Sequence, residues 1–455
     1  MPKQELQRGY GLSTSTYVVI ASMVGTGILV SPGYMMASLG NYPIIFGLWA
    51  LGGLLALCGA LCVAELAAAL PHAGGEYVYL RQAYGPMPAF LSGWTSFFVG
   101  FSAPLAVAGY IAASYLLTPF GLDSQGAGFT LKVAAAVIIF AVTIPNLIGH
   151  RHSARTQNLT TILKLGLFAA LVVGALLRGT GRLAYLGQGR PFGQVGVGTA
   201  ATQLFYVMFA YSGWNAAAYL AGEVRNPART LPRSLLLGTG VVVVLYLALN
   251  LVFACAVPLS DVGFDNAEQV PQLAVANLFG PGITSVFSVL LGLTFLATVS
   301  AFIITGPRVY YAMACDGLFP SIAGRTSRLG GVPTHATILQ SACAVIILFA
   351  TDFQALYQYA AVGLSLFALL FIGAVYVLRV RQPEMERPFR VPGYPIVPAL
   401  FMSVTLFMSV FAFRQWRTPS LWSVGSILLG IPVYYVWVFV RRRVGTAEDS
   451  EHSGS

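Results

Sequence analysis

The chain has 455 residues, 57% of them hydrophobic and only 9% charged, with a mean hydropathy of +0.75. A composition this apolar excludes a water-soluble globular protein and a disordered one. The formal charge of +10 then reads as a membrane-topology signal rather than as a nucleic-acid patch.

Apolar blocks long enough to cross ~30 Å of hydrocarbon at ~20 residues per helix recur along the whole chain. In order they predict spans at 12–39, 43–70, 87–117, 129–147, 155–177, 196–221, 233–257, 281–313, 334–350, 354–380, 392–414 and 420–440. The expected fold class is therefore an all-α integral membrane protein lying in a lipid bilayer. The polar N-terminal segment MPKQELQRGYG carries no cleavable signal pattern and leads straight into the first span. Of the 25 Lys and Arg, only Lys132, Arg178, Arg182, Arg190, Arg414 and Arg417 fall outside if both termini are cytoplasmic, and Lys164 falls within a span. The positive-inside rule thus favours an even number of spans, both termini cytoplasmic, in a plasma (inner) membrane. The five cysteines form no metal spacing, and no cofactor or metal is expected.

The first span contains V-G-T-G-I-L-V-S-P-G (24–33), where Gly25 and Gly27 interrupt a helix at membrane depth. The sixth, FYVMFAYSGWNAAAYL (205–220), is interrupted at Ser212-Gly213. Irregular backbone survives at that depth only where it lines a cavity or is buried in protein. Interruptions at corresponding positions of two five-helix halves point to a transporter of inverted repeats, here 12–177 and 196–380, with additional helices over 392–440 in a single domain. A break frees N–H groups on one half-helix and carbonyls on the other, so two breaks side by side suit a zwitterion such as an α-amino acid.

Intramembrane charge is costly and marks function. Lys164 lies in RTQNLTTILKLGLF, where Gln157, Thr161 and Lys164 share one helix face. Glu65, near the cytoplasmic end of the second span, is expected to have a structural or gate role, and Glu76 and Arg81 to serve a cytoplasmic gate or packing. In sequence no Asp or Glu lies near either break, so polyamines are expected to bind poorly.

These motifs resemble the amino acid–polyamine–organocation superfamily and, within it, the L-type amino acid transporters, which include the light chains of heteromeric transporters. The resemblance rests on VGTGILVSPG, on ALCVAELAAALPHAGGEYVYLRQAYGPMPAFLSGW (60–94), on FAYSGWN (209–215), on GPRVYYAMACDGLFP (306–320) and on RPFRVPGYPIVP (387–398). It implies a LeuT-type fold of five-plus-five inverted repeats with helices 1 and 6 broken. It also implies a sodium-independent permease or exchanger of neutral L-amino acids, with a proton-coupled symporter of broader or cationic range as the alternative. The implied substrate site places the carboxylate on backbone around Gly25, Thr26 and Gly27, and the amino group on carbonyls near Met23, Val24 and Phe209. Phe209 would close over the substrate, Trp214 and Asn215 would line the pocket, and Lys164 would stand in for a sodium ion and could serve in coupling. Ser212, where relatives for large substrates carry Gly, implies a smaller or more polar pocket. The loop 118–130 has no cysteine, so no disulfide-linked heavy chain is expected. A channel would need a filter motif or charge rings, and an enzyme converging His, Asp or Cys groups; the sequence has neither pattern.

Overall fold

The computed structural model describes residues 8–120, 128–148, 150–178, 182–187, 189–264, 266–326, 332–350 and 353–452. Among them, 10 helical segments are long and apolar enough to cross a membrane, and two shorter apolar helices stand where the sixth and ninth spans are expected. No β-strand forms among the described residues, only two isolated bridges. Most of the loop without cysteine, residues 121–127, lies outside the described residues.

The first span is two helices, α1 (Leu12–Met23) and α2 (Gly27–Leu39), with Val24–Thr26 between them. The second span is α3 (Tyr42–Ala69), started by Asn41, whose side chain accepts from Ile44 N at 2.9 Å. A short helix, α4 (Glu76–Tyr84), precedes the third span. That span is α5 (Pro86–Thr95) and α6 (Ala103–Leu117), joined by a π-helical stretch over Ser96–Ser102. The hydropathy pattern predicted one regular helix here. Pro104, at the start of α6, has no N–H to offer Gly100, so one bond of the ordinary ladder is missing where the π-helical stretch ends.

The fourth and fifth spans are α7 (Gly128–Ile148) and α8 (His150–Arg178), and the sixth is α9 (Val197–Ala210) followed by α10 (Ala216–Tyr219). Then come α11 (Pro227–Ala256), the short α12 (Val270–Phe279), α13 (Pro281–Cys315), α14 (Thr334–Ala350), α15 (Phe353–Arg381), α16 (Ile396–Gln415) and α17 (Arg417–His452). Helices of equal rank in the two halves pack on one another: α3 on α11, α6 on α13, α7 on α14. The first span is enclosed by protein, whereas α7, α8 and α17 turn apolar side chains such as Val137, Leu176 and Leu429 outward. That pattern fits a bundle whose polar work is central and whose rim meets lipid.

Polar ties fix the ends of the bundle. Tyr10 N donates to Glu223 O and Arg225 N to Tyr10 O, which pins the N-terminal segment to the end of the sixth span. Glu65 has the structural surroundings expected of it: it accepts from Arg379 at 2.9 and 2.6 Å and from Val391 N at 2.7 Å. A buried carboxylate with that many donors, and with Arg387 at 3.6 Å as a further cation, is held in place.

Candidate functional site

The two breaks touch each other reciprocally. A Cβ on Gly27, the first residue of α2, would sit 2.3 Å from Ala210 Cα at the end of α9. A Cβ on Gly213, which has φ 99° in the sixth-span break, would sit 2.8 Å from the carbonyl carbon of Ser22 near the end of α1. Only glycine admits both approaches, and Gly213 also needs its left-handed backbone. Each half-helix end is thus laid against the other break, an arrangement that spacing along the chain cannot show.

At the start of α2, Thr26 O accepts from Leu29 N and Val30 N, while no acceptor among the described residues meets the N–H groups of Gly25, Thr26, Gly27 or Ile28. These are the orphan donors of a helix N-terminus, the ordinary place for an anion. The carbonyls freed on the other side are partly taken. Tyr246, from α11, donates to Met23 O at 2.6 Å and also lies 3.1 Å from Ala210 O, so one hydroxyl spans the end of α1 and the end of α9. Lys164 Nζ donates to Val24 O at 2.5 Å and to Thr298 Oγ1 at 2.6 Å, and Thr298 Oγ1 donates to Val24 O at 3.0 Å. Lys164 is buried, with Gln157 and Thr161 buried along the same face of α8. The ammonium therefore sits on the first break rather than snorkelling to an interface.

This geometry corrects one detail. Val24 O already accepts two hydrogen bonds, which fills its two lone pairs. It has none to offer a substrate's amino group. Met23 O accepts one and keeps a second lone pair; Phe209 O accepts from Ser212 N at 2.9 Å and also faces Tyr211 N, which leaves Met23 O as the more open acceptor.

A central cavity of about 130 Å³ lies between the breaks. Met23, Gly25, Thr26, Gly27, Phe209, Ser212, Trp214 and Asn215 all line it, whereas Val24 and Lys164 do not. Trp214 stacks on Phe371 at 6.2 Å, which braces the break from behind. Ser96, Gly100 and Phe101, from the π-helical stretch, complete one wall. The expectation that no acid lies near either break is overturned. Glu76 lines the same cavity and accepts from Asn215 Nδ2 at 2.8 Å. It is distant from both breaks in sequence, and only the fold of α4 against α10 brings it in. Arg81, paired with it in expectation, goes elsewhere, to Asp316 at 2.5 Å. Tyr246 and Thr298 are residues at the breaks that sequence reasoning missed, as it missed the place of Glu76 in the cavity wall. A tyrosine, threonine or glutamate in apolar surroundings gives no spacing signal of its own.

Two broken helices, apposed around a central cavity with amide donors on one wall and carbonyls on the other, define a membrane-embedded carrier of small molecules. The family model described as Amino acid permease matches residues 10–439, and the chain belongs to that family. It is 27% identical over 449 residues to the Cystine/glutamate transporter of Homo sapiens, covering 96% of this chain and 86% of that protein. It is 27% identical over 445 residues to the b(0,+)-type amino acid transporter 1 of Mus musculus, covering 96% and 89%. It is also 28% identical over 433 residues to the Serine/threonine exchanger SteT of Bacillus subtilis (strain 168), covering 94% and 97%. The chain is thus a multi-pass membrane protein and an amino acid permease or exchanger, not an enzyme.

Proposed function

We propose that the chain carries small neutral L-amino acids across the plasma (inner) membrane by alternating access, without sodium and with both termini cytoplasmic. The observation that carries this reading is the reciprocal apposition of Gly27 on Ala210 and of Gly213 on Ser22 around the cavity. The substrate's carboxylate takes the amides of Gly25, Thr26 and Gly27, and its amino group the carbonyls of Met23 and Phe209. The side chain then points at Ser212, Trp214 and Asn215, with Phe209 as the aromatic cover. An engineered cavity of ~150 Å³ holds benzene, a molecule of six heavy atoms. A cavity of about 130 Å³ therefore suits a substrate of the size of alanine, which also has six heavy atoms.

Lys164 supports independence from sodium. Its ammonium occupies the freed carbonyl of the first break, supplies the positive charge an ion would supply, and repels a second cation. The pairing of equal-rank helices supports a LeuT-type arrangement of repeats over 12–177 and 196–380, with 392–440 added. No disulfide-linked heavy chain is proposed, since the loop 118–130 offers no thiol.

Counterflow in proteoliposomes tests the site. Internal amino acid should speed uptake of labelled L-alanine, and alaninamide, alaninol and ethylamine should fail to compete because they lack the carboxylate. Competition by ethylamine as good as that by alanine would refute the carboxylate assignment.

A further inference from the structure

Glu76 opens α4, outside the membrane spans proper, yet its carboxyl enters the lining of the central cavity. Asn215 Nδ2 donates to its Oε1 at 2.8 Å, and the same amide nitrogen donates to the Tyr219 hydroxyl at 3.1 Å. Tyr219 flanks the same carboxyl and lines the same cavity. Asn215 is the last residue before α10, so the carboxyl is bonded to the sixth-span break itself.

Neighbouring acids each have a cation. Glu223 accepts from Arg308 at 2.8 and 3.0 Å, Glu65 from Arg379, and Asp316 faces Arg81. Glu76 has none among the described residues. Tyr77, Tyr79 and Arg81 share its helix, and Tyr77 and Arg81 both hold Asp316. The sixth span brings Tyr219 and Glu223. α13 brings Arg308, committed to Glu223, and Tyr310, whose hydroxyl donates to Ser96 O. α15 brings Arg379, on Glu65, and Arg381, which donates to Ala83 O. α5 brings no titratable group. Among the described residues, the groups at the carboxyl are the neutral Asn215 and Tyr219.

We propose that Glu76 is the proton-binding site of a proton-coupled transport cycle, holding a proton while the cavity is shut and releasing it when the cavity opens toward the cytoplasm. The proposal rests on the amino acid transport reading and adds the coupling ion to it.

The physical cause is the difference in hydration between the two states. Glu76 is half-buried against the cavity wall, where a carboxylate without a cation is less well solvated than in bulk water, and that burial pushes it from its ordinary 4.5 up to about 7. Water entering on opening removes that cause, and the group returns toward the usual carboxylate range. The sign follows: a group that binds its proton more tightly when shut favours the shut state at low pH, and loses that contribution as pH rises through about 7. A proton taken from an acidic outside is then released into a near-neutral cytoplasm on each opening, in step with substrate release. Lys164 is the competing carrier of the proton, but it is absent from the cavity lining and its ammonium is committed to Val24 O and Thr298 Oγ1.

The test uses full-length protein in proteoliposomes with labelled L-alanine. Counterflow without a pH gradient establishes whether amino acid transport occurs at all; its absence in the wild type would remove the reading on which this proposal rests. In vesicles that show counterflow, an inward gradient of one pH unit should concentrate alanine about tenfold for one proton per substrate. A trapped pH dye should report acidification of the interior when unlabelled alanine is added outside. Glu76→Gln should lose the gradient-driven accumulation and the dye signal, whatever counterflow it retains, and Glu76→Asp should restore both. The wild-type dye signal decides the matter even if Glu76→Gln does not fold. Counterflow without any proton movement in the wild type, or accumulation that persists in Glu76→Gln, would overturn the proposal.

Discussion

Replacing Lys164 by alanine is the sharpest test of how the first break is held. The substitution removes two hydrogen bonds from a charged donor, to Val24 O at 2.5 Å and Thr298 Oγ1 at 2.6 Å. Bonds of that kind contribute about 1.5–3 kcal/mol each, so the present conformation of Val24–Thr26 loses about 3–6 kcal/mol against its competitors. At ~1.4 kcal/mol per tenfold, its population should fall by about 10²–10⁴. Global stability should change far less, because removing a buried ammonium also removes a desolvation cost of several kcal/mol. The expected result is counterflow reduced at least a hundredfold in a protein that still inserts, purifies as a single species and melts within a few degrees of wild type. Counterflow in proteoliposomes and thermal melting in detergent measure the two quantities separately. Counterflow within threefold of wild type would refute the argument. So would wild-type uptake that rises when sodium replaces choline, since the ammonium would then not be doing the ion's work.

Other expectations follow from the same geometry. Ser212→Gly should widen acceptance toward leucine and phenylalanine in a competition assay, by no more than the ~1–3 kcal/mol that a small change of pocket volume supplies; unchanged selectivity would remove Ser212 from the specificity argument. Tyr246→Phe deletes the hydroxyl that spans Met23 O and Ala210 O. It should lower counterflow about tenfold, since one or two lost bonds amount to about 1–2 kcal/mol, and a rate equal to wild type would show that the bridge is dispensable.

Composition and spacing alone determined a great deal. The run of apolar blocks dictated a helical membrane bundle because only closed backbone hydrogen bonding survives in hydrocarbon. Gly25, Gly27 and Ser212-Gly213 dictated where the first and sixth spans break, and the spacing of Gln157, Thr161 and Lys164 put the charge on a buried face, since both signals are local in the chain. Tertiary structure decided the rest. That Gly27 meets Ala210 and Gly213 meets Ser22 depends on two segments some 180 residues apart lying antiparallel and in contact. The filling of Val24 O by Lys164 and Thr298, and the bridging by Tyr246, join α8, α11 and α13 to the first break, and hydrogen-bond partners of that kind leave no periodic trace. Glu76 shows the division most clearly. In sequence it follows Gly74-Gly75 in the link between two spans, and reads as a residue of a cytoplasmic gate or of packing. In the fold that link turns inward, Asn215 reaches it, and a residue that looked peripheral becomes the acid of the cavity, because burial and partners belong to the packed chain rather than to the order of its residues.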